Sequence, residues 1–465
     1  MTVADTIPEP EQGGRDDRAF LGHPKGLGYL GFTEGCERFS YYSMQTLLVL
    51  YMVNYLLLPG RMEHVAGLDW INAHLYPGLS GQPLASAIFG TYTALVYLTP
   101  IAGGIIADKW LGRNRTLIAG GVLMAIGHFL MAFEPAFLFA LLALLLGVGA
   151  FKGNIATQVG ALYGPNDLRR AMAFQIFYIF INVSVIAAPL ISGTLGQKVG
   201  WHYGFGCAGV VMVLGLAIYL SGRRHLPTEE RAPSRKATQP REPLTRDDWR
   251  RLLSLLFLIP ILAVALLTNQ QIFNAYLIWG DQHFDLTLLN NTSSWLLTVD
   301  AAVSFSMLVA VAAFWKWWGT RHREPDETGK MIIGSVFTIA GGLCLYMAAL
   351  TQPADGGKIS LFWPMMFELM NSIGFAHVLP ISLALFSKIA PKRITSTVIG
   401  LYYLSFCIAN WVVGYVGGLY SSLPTTTFWL VHVASAAVGL AGFVVFKLVI
   451  GHRMATPQPE PATAG

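Results

Sequence analysis

Residues 27–57 read LGYLGFTEGCERFSYYSMQTLLVLYMVNYLL. The run is long enough to cross a bilayer as a helix, for which about 20 apolar residues suffice. Yet Glu34, Glu37 and Arg38 sit well inside it. One ionised side chain at the centre of a membrane helix costs roughly 2.5–3.5 kcal/mol on insertion scales. Charges this dense cannot face lipid. Glu34, Glu37, Arg38, Tyr41, Tyr42 and Gln45 recur at spacings of three, four and seven, so they share one helical face. A cluster serving only to fix helix packing is the plainer reading, but Gly, Ser or Thr would do that at lower cost. The stretch therefore predicts a membrane helix whose polar face meets protein or water, within a chain of many spans.

The rest of the sequence agrees. Apolar residues make up 54% of the 465 and charged residues 12%, about half the usual charged share. Twelve spans are read at 27–57, 83–108, 114–133, 136–163, 170–197, 203–222, 250–279, 296–318, 330–350, 360–389, 394–421 and 426–449. The predicted fold class is all-α: a polytopic membrane protein of twelve transmembrane helices in two six-helix halves. The expected division is 1–222, a linker at 223–249 rich in proline and charge, and 250–465, with a disordered tail from about 454. The amino-terminal residues 1–18 are polar and lack a signal-peptide pattern. Nine Lys and Arg lie between Arg223 and Arg251, against Arg61, Lys198 and Lys358 in the opposite loops. This asymmetry places both termini in the cytoplasm. It also accounts for the net charge of +5 without nucleic acid. An echo of Lys109-Trp110-Leu111-Gly112-Arg113 at Lys316-Trp317-Trp318-Gly319, six spans later, suggests duplication. Two such halves fit the major facilitator arrangement, with a solute site at the midplane.

Other ionisable groups lie in apolar spans: Lys152 among Gly147, Gly149 and Gly153, Asp300 in the eighth span and Glu368 in the tenth. A snorkelling lysine, a capping acid at Asp300 and a packing acid at Glu368 are the bland readings. Counted together, the acids Glu34, Glu37, Asp300 and Glu368 outnumber the bases Arg38 and Lys152. At least one carboxyl is then expected to hold a proton for part of the time, as a proton carrier requires. Arg38 cannot give its proton up. The two bases lie in the first half and two acids in the second, a layout that suits a zwitterion. Tyr41, Tyr42, Tyr97 and Tyr178 would pack its side chains and offer hydroxyls. Cys36, Cys207, Cys344 and Cys407 are far apart and read as buried small hydrophobes. His128, His377 and His432 are scattered, so neither a catalytic centre nor a metal or other cofactor is expected.

Glu34-Gly35-Cys36-Glu37-Arg38-Phe39-Ser40-Tyr41-Tyr42 resembles the first-span signature ExxERFxYY of the proton-dependent oligopeptide transporter family, a branch of the major facilitator superfamily. Gly103 to Gly112 is similar to the superfamily's second-to-third-span motif. Phe177 to Asn182 and Phe367 to Ser372 are similar to the family's fifth- and tenth-span segments. The resemblance runs from about 26 to 450. It implies a proton-coupled symporter importing di- and tripeptides by alternating access, a monomer in the cell membrane, the inner one if bacterial. It implies proton coupling by Glu34, Glu37, Arg38, Lys152 and Glu368, with Lys152 pairing with Glu368 or the peptide carboxylate. It implies a peptide site drawn from Arg38, Tyr41, Tyr42, Tyr97 and Lys152, with Tyr178 and Asn182 on the fifth span. Gln271, Asp300, Glu368, Ser372 and Tyr402 complete it from the second half.

Several positions depart from the pattern. Asp300 stands where the family often has asparagine, and Tyr402 where tryptophan is frequent. Gln45 and Asn269 stand where many members place the basic and acidic partners of an outer gate. A Gln45–Asn269 hydrogen bond is expected instead, giving an outer closure that does not titrate. Alternative readings are a relative carrying another small solute, such as nitrate, an amino-acid conjugate or a peptide-like drug, and a non-transporting peptide sensor.

Overall fold

The computed structural model describes residues 17–164, 167–227, 245–390 and 394–451. Most of the expected linker and the tail expected from about 454 lie outside the described residues, as do residues 1–16. The first half is built from α1 (Lys25–Tyr51), α2 (Gly81–Ile106), α3 (Arg113–Leu130), α4 (Phe137–Ala161), α5 (Arg169–Ala188) and α6 (Trp201–Gly222). The second is built from α7 (Arg246–Ala265), α8 (Trp295–Gly319), α9 (Glu327–Leu350), α10 (Phe362–Ile389), α11 (Thr395–Gly418) and α12 (Thr425–Phe446).

Nine of the described helices are long and apolar enough to cross a membrane, and a bent pair built on α7 makes ten. The other two spans are α1, whose central charges lower its hydropathy, and α3, which has 18 residues and opens on Arg113 and Arg115. Three spans are interrupted for visible reasons. Pro189 ends α5, having no N–H to continue the ladder, and a π turn from Pro189 to Gly193 leads into Thr194–Lys198. The chain bends by 47° after α7, then runs through Leu267–Gln270 and Gln271–Phe273. Asn274, at φ −126° and ψ −106°, precedes a last helical piece, Ala275–His283. In α1 a π turn over Met52–Leu56 carries the helix to its end.

Small residues set the close approaches inside each half, as membrane helices require. A Cβ on Gly147 would lie 2.6 Å from Met124 Cγ, and one on Gly149 would lie 2.6 Å from Thr99 Cβ. Gly153 is different, since a Cβ there would meet only Pro100 O at 3.9 Å. At the end that the sequence assigns to the cytoplasm, Lys447 pairs with Asp326 at 2.7 Å and Lys388 with Glu327 at 2.6 Å. These pairs tie the ends of α12 and α10 to the start of α9.

The halves meet at the opposite, outer-assigned ends of the helices. Along α2 and α11 the backbones touch: a Cβ on Gly90 would lie 2.4 Å from Gly414 Cα. Ser86 Oγ donates to Asn274 Oδ1 at 2.9 Å, and Gln82 Nε2 donates to Gly417 O at 2.9 Å. A second seam joins α5 to α8, where Trp295 Nε1 donates to Thr194 Oγ1 at 2.8 Å. Its outermost member is Asp281. The Asp281 carboxylate accepts from Asn54 Nδ2 at 2.9 Å, Ser293 Oγ at 2.7 Å and Gln197 Nε2 at 3.3 Å. Toward the other end, side chains at Gly104 of α2 or Gly400 of α11 would meet nothing within 4 Å.

Candidate functional site

Helical spacing puts Glu34, Glu37 and Arg38 on the inward face of α1, where all three are buried. Arg38 Nη2 donates to Glu37 Oε1 at 2.8 Å, and Arg38 Nε donates to Glu37 Oε2. This two-point fork is the strong form of an arginine–carboxylate contact. Arg38 Nε also lies 3.1 Å from Glu34 Oε1, one turn away. Glu34 Oε2 has no hydrogen-bond partner.

Lys152 of α4 faces the same cluster, with Arg38, Glu37 and Glu34 as its electrostatic neighbours. It makes no ion pair with a described carboxylate. Its ammonium instead lies 5.3 Å from the centre of the Tyr97 ring, while Arg38 lies 5.3 Å from that of Tyr41. Tyr41 and Tyr42 pack edge to face at 5.2 Å. The expected Lys152–Glu368 pair is absent among the described residues.

The second half presents acids. Glu368 of α10 is fully buried. Its carboxyl has the Asp300 carboxyl on α8 and the Tyr276 hydroxyl as its interacting neighbours. Neither Glu368 oxygen completes a hydrogen bond, and neither does Asp300 Oδ1 nor the Tyr276 hydroxyl. Ser304 and Ser372 join α8 to α10 beside the pair, at 2.9 Å between hydroxyl oxygens. Asn371 is 1% exposed and both of its amide atoms lack partners.

The remaining expected residues are placed unevenly. Tyr178 is 61% exposed, yet it is an electrostatic neighbour of Tyr42, Tyr402 and Tyr403. It therefore faces the space between the halves rather than lipid. Asn182 Nδ2 donates to Tyr178 O at 2.8 Å, one turn back on its own helix. Tyr402 lies deep. It is 2% exposed, and its hydroxyl meets Ser382 Oγ at 3.2 Å inside the second half. Its neighbour Tyr403 takes the inward place, stacking on Tyr97 at 6.5 Å. Adjacent residues differ by about 100° around a helix, so the two tyrosines face different ways. Gln271 is also displaced from the expectation. It is fully buried near Gly417, in the outer seam, with both amide atoms unpartnered.

The expected Gln45–Asn269 bond does not form. Asn269 Oδ1 accepts from Gln270 Nε2 at 3.0 Å, and Gln270 Oε1 accepts from Asn410 Nδ2 at 3.3 Å. The turn after α7 aims Asn269 along its own half. Asp281 sits in the outer closure instead. Asp281, Tyr276 and Tyr403 were not singled out from sequence. Tyr276 and Asp281 follow a helix break whose only trace is the polar run Thr268-Asn269-Gln270-Gln271.

Known proteins resemble this chain over most of its length. The model of the Major Facilitator Superfamily matches residues 42–414. The peptide transporter YePEPT of Yersinia enterocolitica is 27% identical, over 86% of this chain and 89% of its own. The di-/tripeptide transporter of Lactococcus lactis subsp. lactis is 28% identical, over 93% and 95%. Among solved structures, a crystal structure of the peptide transporter POT superposes with a TM-score of 0.79 at 25% identity, covering 92% of this chain and 96% of that one. A POT family transporter in complex with 5-aminolevulinic acid shares the fold, with a TM-score of 0.76 at 21% identity over 95% and 99% of the two chains.

Proposed function

Since the chain belongs to the major facilitator superfamily and, within it, to the proton-dependent oligopeptide transporter family, we propose that it is a symporter importing di- and tripeptides with protons. The observation that carries this reading is the polarity of the buried charge. The first half offers an ammonium, Lys152, which is near Glu34 and Glu37 but makes no ion pair with a described carboxylate. The second offers two carboxyls, Asp300 and Glu368, whose neighbours include no cation. A peptide across the gap places its carboxylate toward Lys152 and Arg38 and its ammonium toward Glu368 and Asp300, with Asn182 beside it. Tyr42, Tyr97, Tyr178 and Tyr403 line the flanks.

Coupling is assigned to Glu34, Glu37, Arg38, Lys152 and Glu368. A proton arriving on Glu34 or Glu37 weakens its hold on the guanidinium, which then reaches for the peptide carboxylate. The protein works as a monomer in a cell membrane, with both termini in the cytoplasm. Liposomes with an imposed pH gradient test the assignment. Glu34→Gln, Glu37→Gln and Glu368→Gln are expected to keep peptide exchange but lose uphill uptake. Full uphill uptake in all three defeats the coupling roles. Failure of every di- and tripeptide to compete in counterflow defeats the peptide reading and favours another small solute.

A further inference from the structure

Asp300 and Glu368 face one another from α8 and α10, and the coupling scheme above leaves Asp300 unused. Two ionised carboxylates are both acceptors, and nothing joins them unless a proton lies between them. Three of their four oxygens complete no hydrogen bond, although the two side chains are neighbours beside the Ser304–Ser372 contact of α8 with α10. Like charges side by side do not both ionise. The groups around the pair are few. Ser304 lies on α8, Ser372 and Asn371 on α10, and Tyr276 on the broken seventh span. α5 packs along α8 through Thr298 and the Ile186 carbonyl, and its ionisable Tyr178 is two turns away. His377, further along α10, is bonded to Trp315 and the Ile373 carbonyl. Among the described residues, no lysine or arginine interacts with the pair.

We infer that Asp300 and Glu368 share one proton in the empty carrier, and that this proton stands in for a second positive charge at the amino end of the substrate. The inference rests on the peptide reading. The protonated pair carries one negative charge, which a single ammonium neutralises with the proton still in place. A peptide whose first residue is basic brings two positive charges to the same spot. The pair then releases its proton, and the site again ends neutral. Asparagine at 300 would offer a fixed neutral partner and no such exchange. Asp300 is thus the specificity-determining residue that admits peptides with a basic amino-terminal residue.

The probes are Lys-Ala, its isomer Ala-Lys of equal net charge, and Ala-Ala. Proton release on binding is followed with a pH dye in weakly buffered detergent solution. Lys-Ala is expected to release one more proton than Ala-Lys or Ala-Ala, and Asp300→Asn to abolish the difference. The unmutated carrier supplies a second measure should the variant misfold. Its affinity for Lys-Ala relative to Ala-Lys rises with pH, by up to tenfold per unit, the limit for one displaced proton. Shared effects of the Glu34–Glu37–Arg38 cluster cancel in that ratio. Equal release for the isomers, a difference that survives Asp300→Asn, or a ratio flat in pH overturns the inference while peptide binding stands. Absence of binding by all three probes overturns the peptide reading, and the inference with it.

Discussion

At the scale of single residues, the site depends on planar geometry as much as on charge. Arg38 holds Glu37 through two nitrogens and reaches Glu34 with one of them. Lysine offers a point charge on a flexible stem and cannot reproduce that fork. Arg38→Lys is therefore expected to lower uphill uptake more than tenfold and to lower the thermal unfolding midpoint of the purified protein. Arg38→Ala is expected to be worse, since stripping one partner from a buried pair costs about 3–5 kcal/mol. Fluorescence-detected unfolding in detergent separates the stability loss from the transport loss. The first-span cluster was legible because charge in an apolar run has few explanations. The choice between Tyr402 and Tyr403 was not, because both are tyrosines and only the rotation of α11 decides which one faces Tyr97.

At the scale of elements, the two ends of the bundle are held by different chemistry. At the inner-assigned end, burial alone would raise the Asp326 carboxyl. The Lys447 ammonium and the Gly329 N–H outweigh it and hold the group below its ordinary value of 3.8. A carboxyl depressed by folding stabilises above its unfolded value and stops doing so as pH falls through its folded one. The midpoint advantage over Asp326→Asn is expected at neutral pH and to vanish below about pH 4. At the outer end Asp281 gathers Asn54 and Gln197 from the first half and Ser293 from the second. Hydrogen bonds to a charged acceptor contribute about 1.5–3 kcal/mol each, with the exposed Asn54 contact at the low end. Asp281→Ala is expected to shift the carrier toward its outward-open form by roughly tenfold, measured by pulsed spin-label distances across the outer ends of α5 and α8. An unchanged distribution would mean that the clasp is incidental. Hydropathy gave the spans within a few residues, yet it hid both partners of this clasp. Asn54 lies in a π turn and Asp281 beyond a broken helix, and neither irregularity has a period to detect.

At the scale of the whole molecule, the two-half architecture followed from the number of spans, the proline- and charge-rich linker and the echoed loop motif. Where the halves touch did not, because contact between bundles depends on residues with little side chain to read. Gly90 and Gly414 illustrate this. Each lies in an ordinary apolar run, yet together they bring α2 and α11 to backbone contact. Gly90→Ala is expected to force the outer ends apart, since overpacking a close contact costs about 1–3 kcal/mol. Spin-label distances between the outer ends of α2 and α11 would lengthen, and turnover would fall with peptide affinity little changed. A variant with unaltered distances would show that the contact yields. In mechanical terms this crossing is a bearing with no clearance. Its closed position is set by the bond lengths of two backbones, with no rotamer able to adjust it. The outer closure should therefore be all or none, and a wedge as small as one methyl group should be enough to jam the machine.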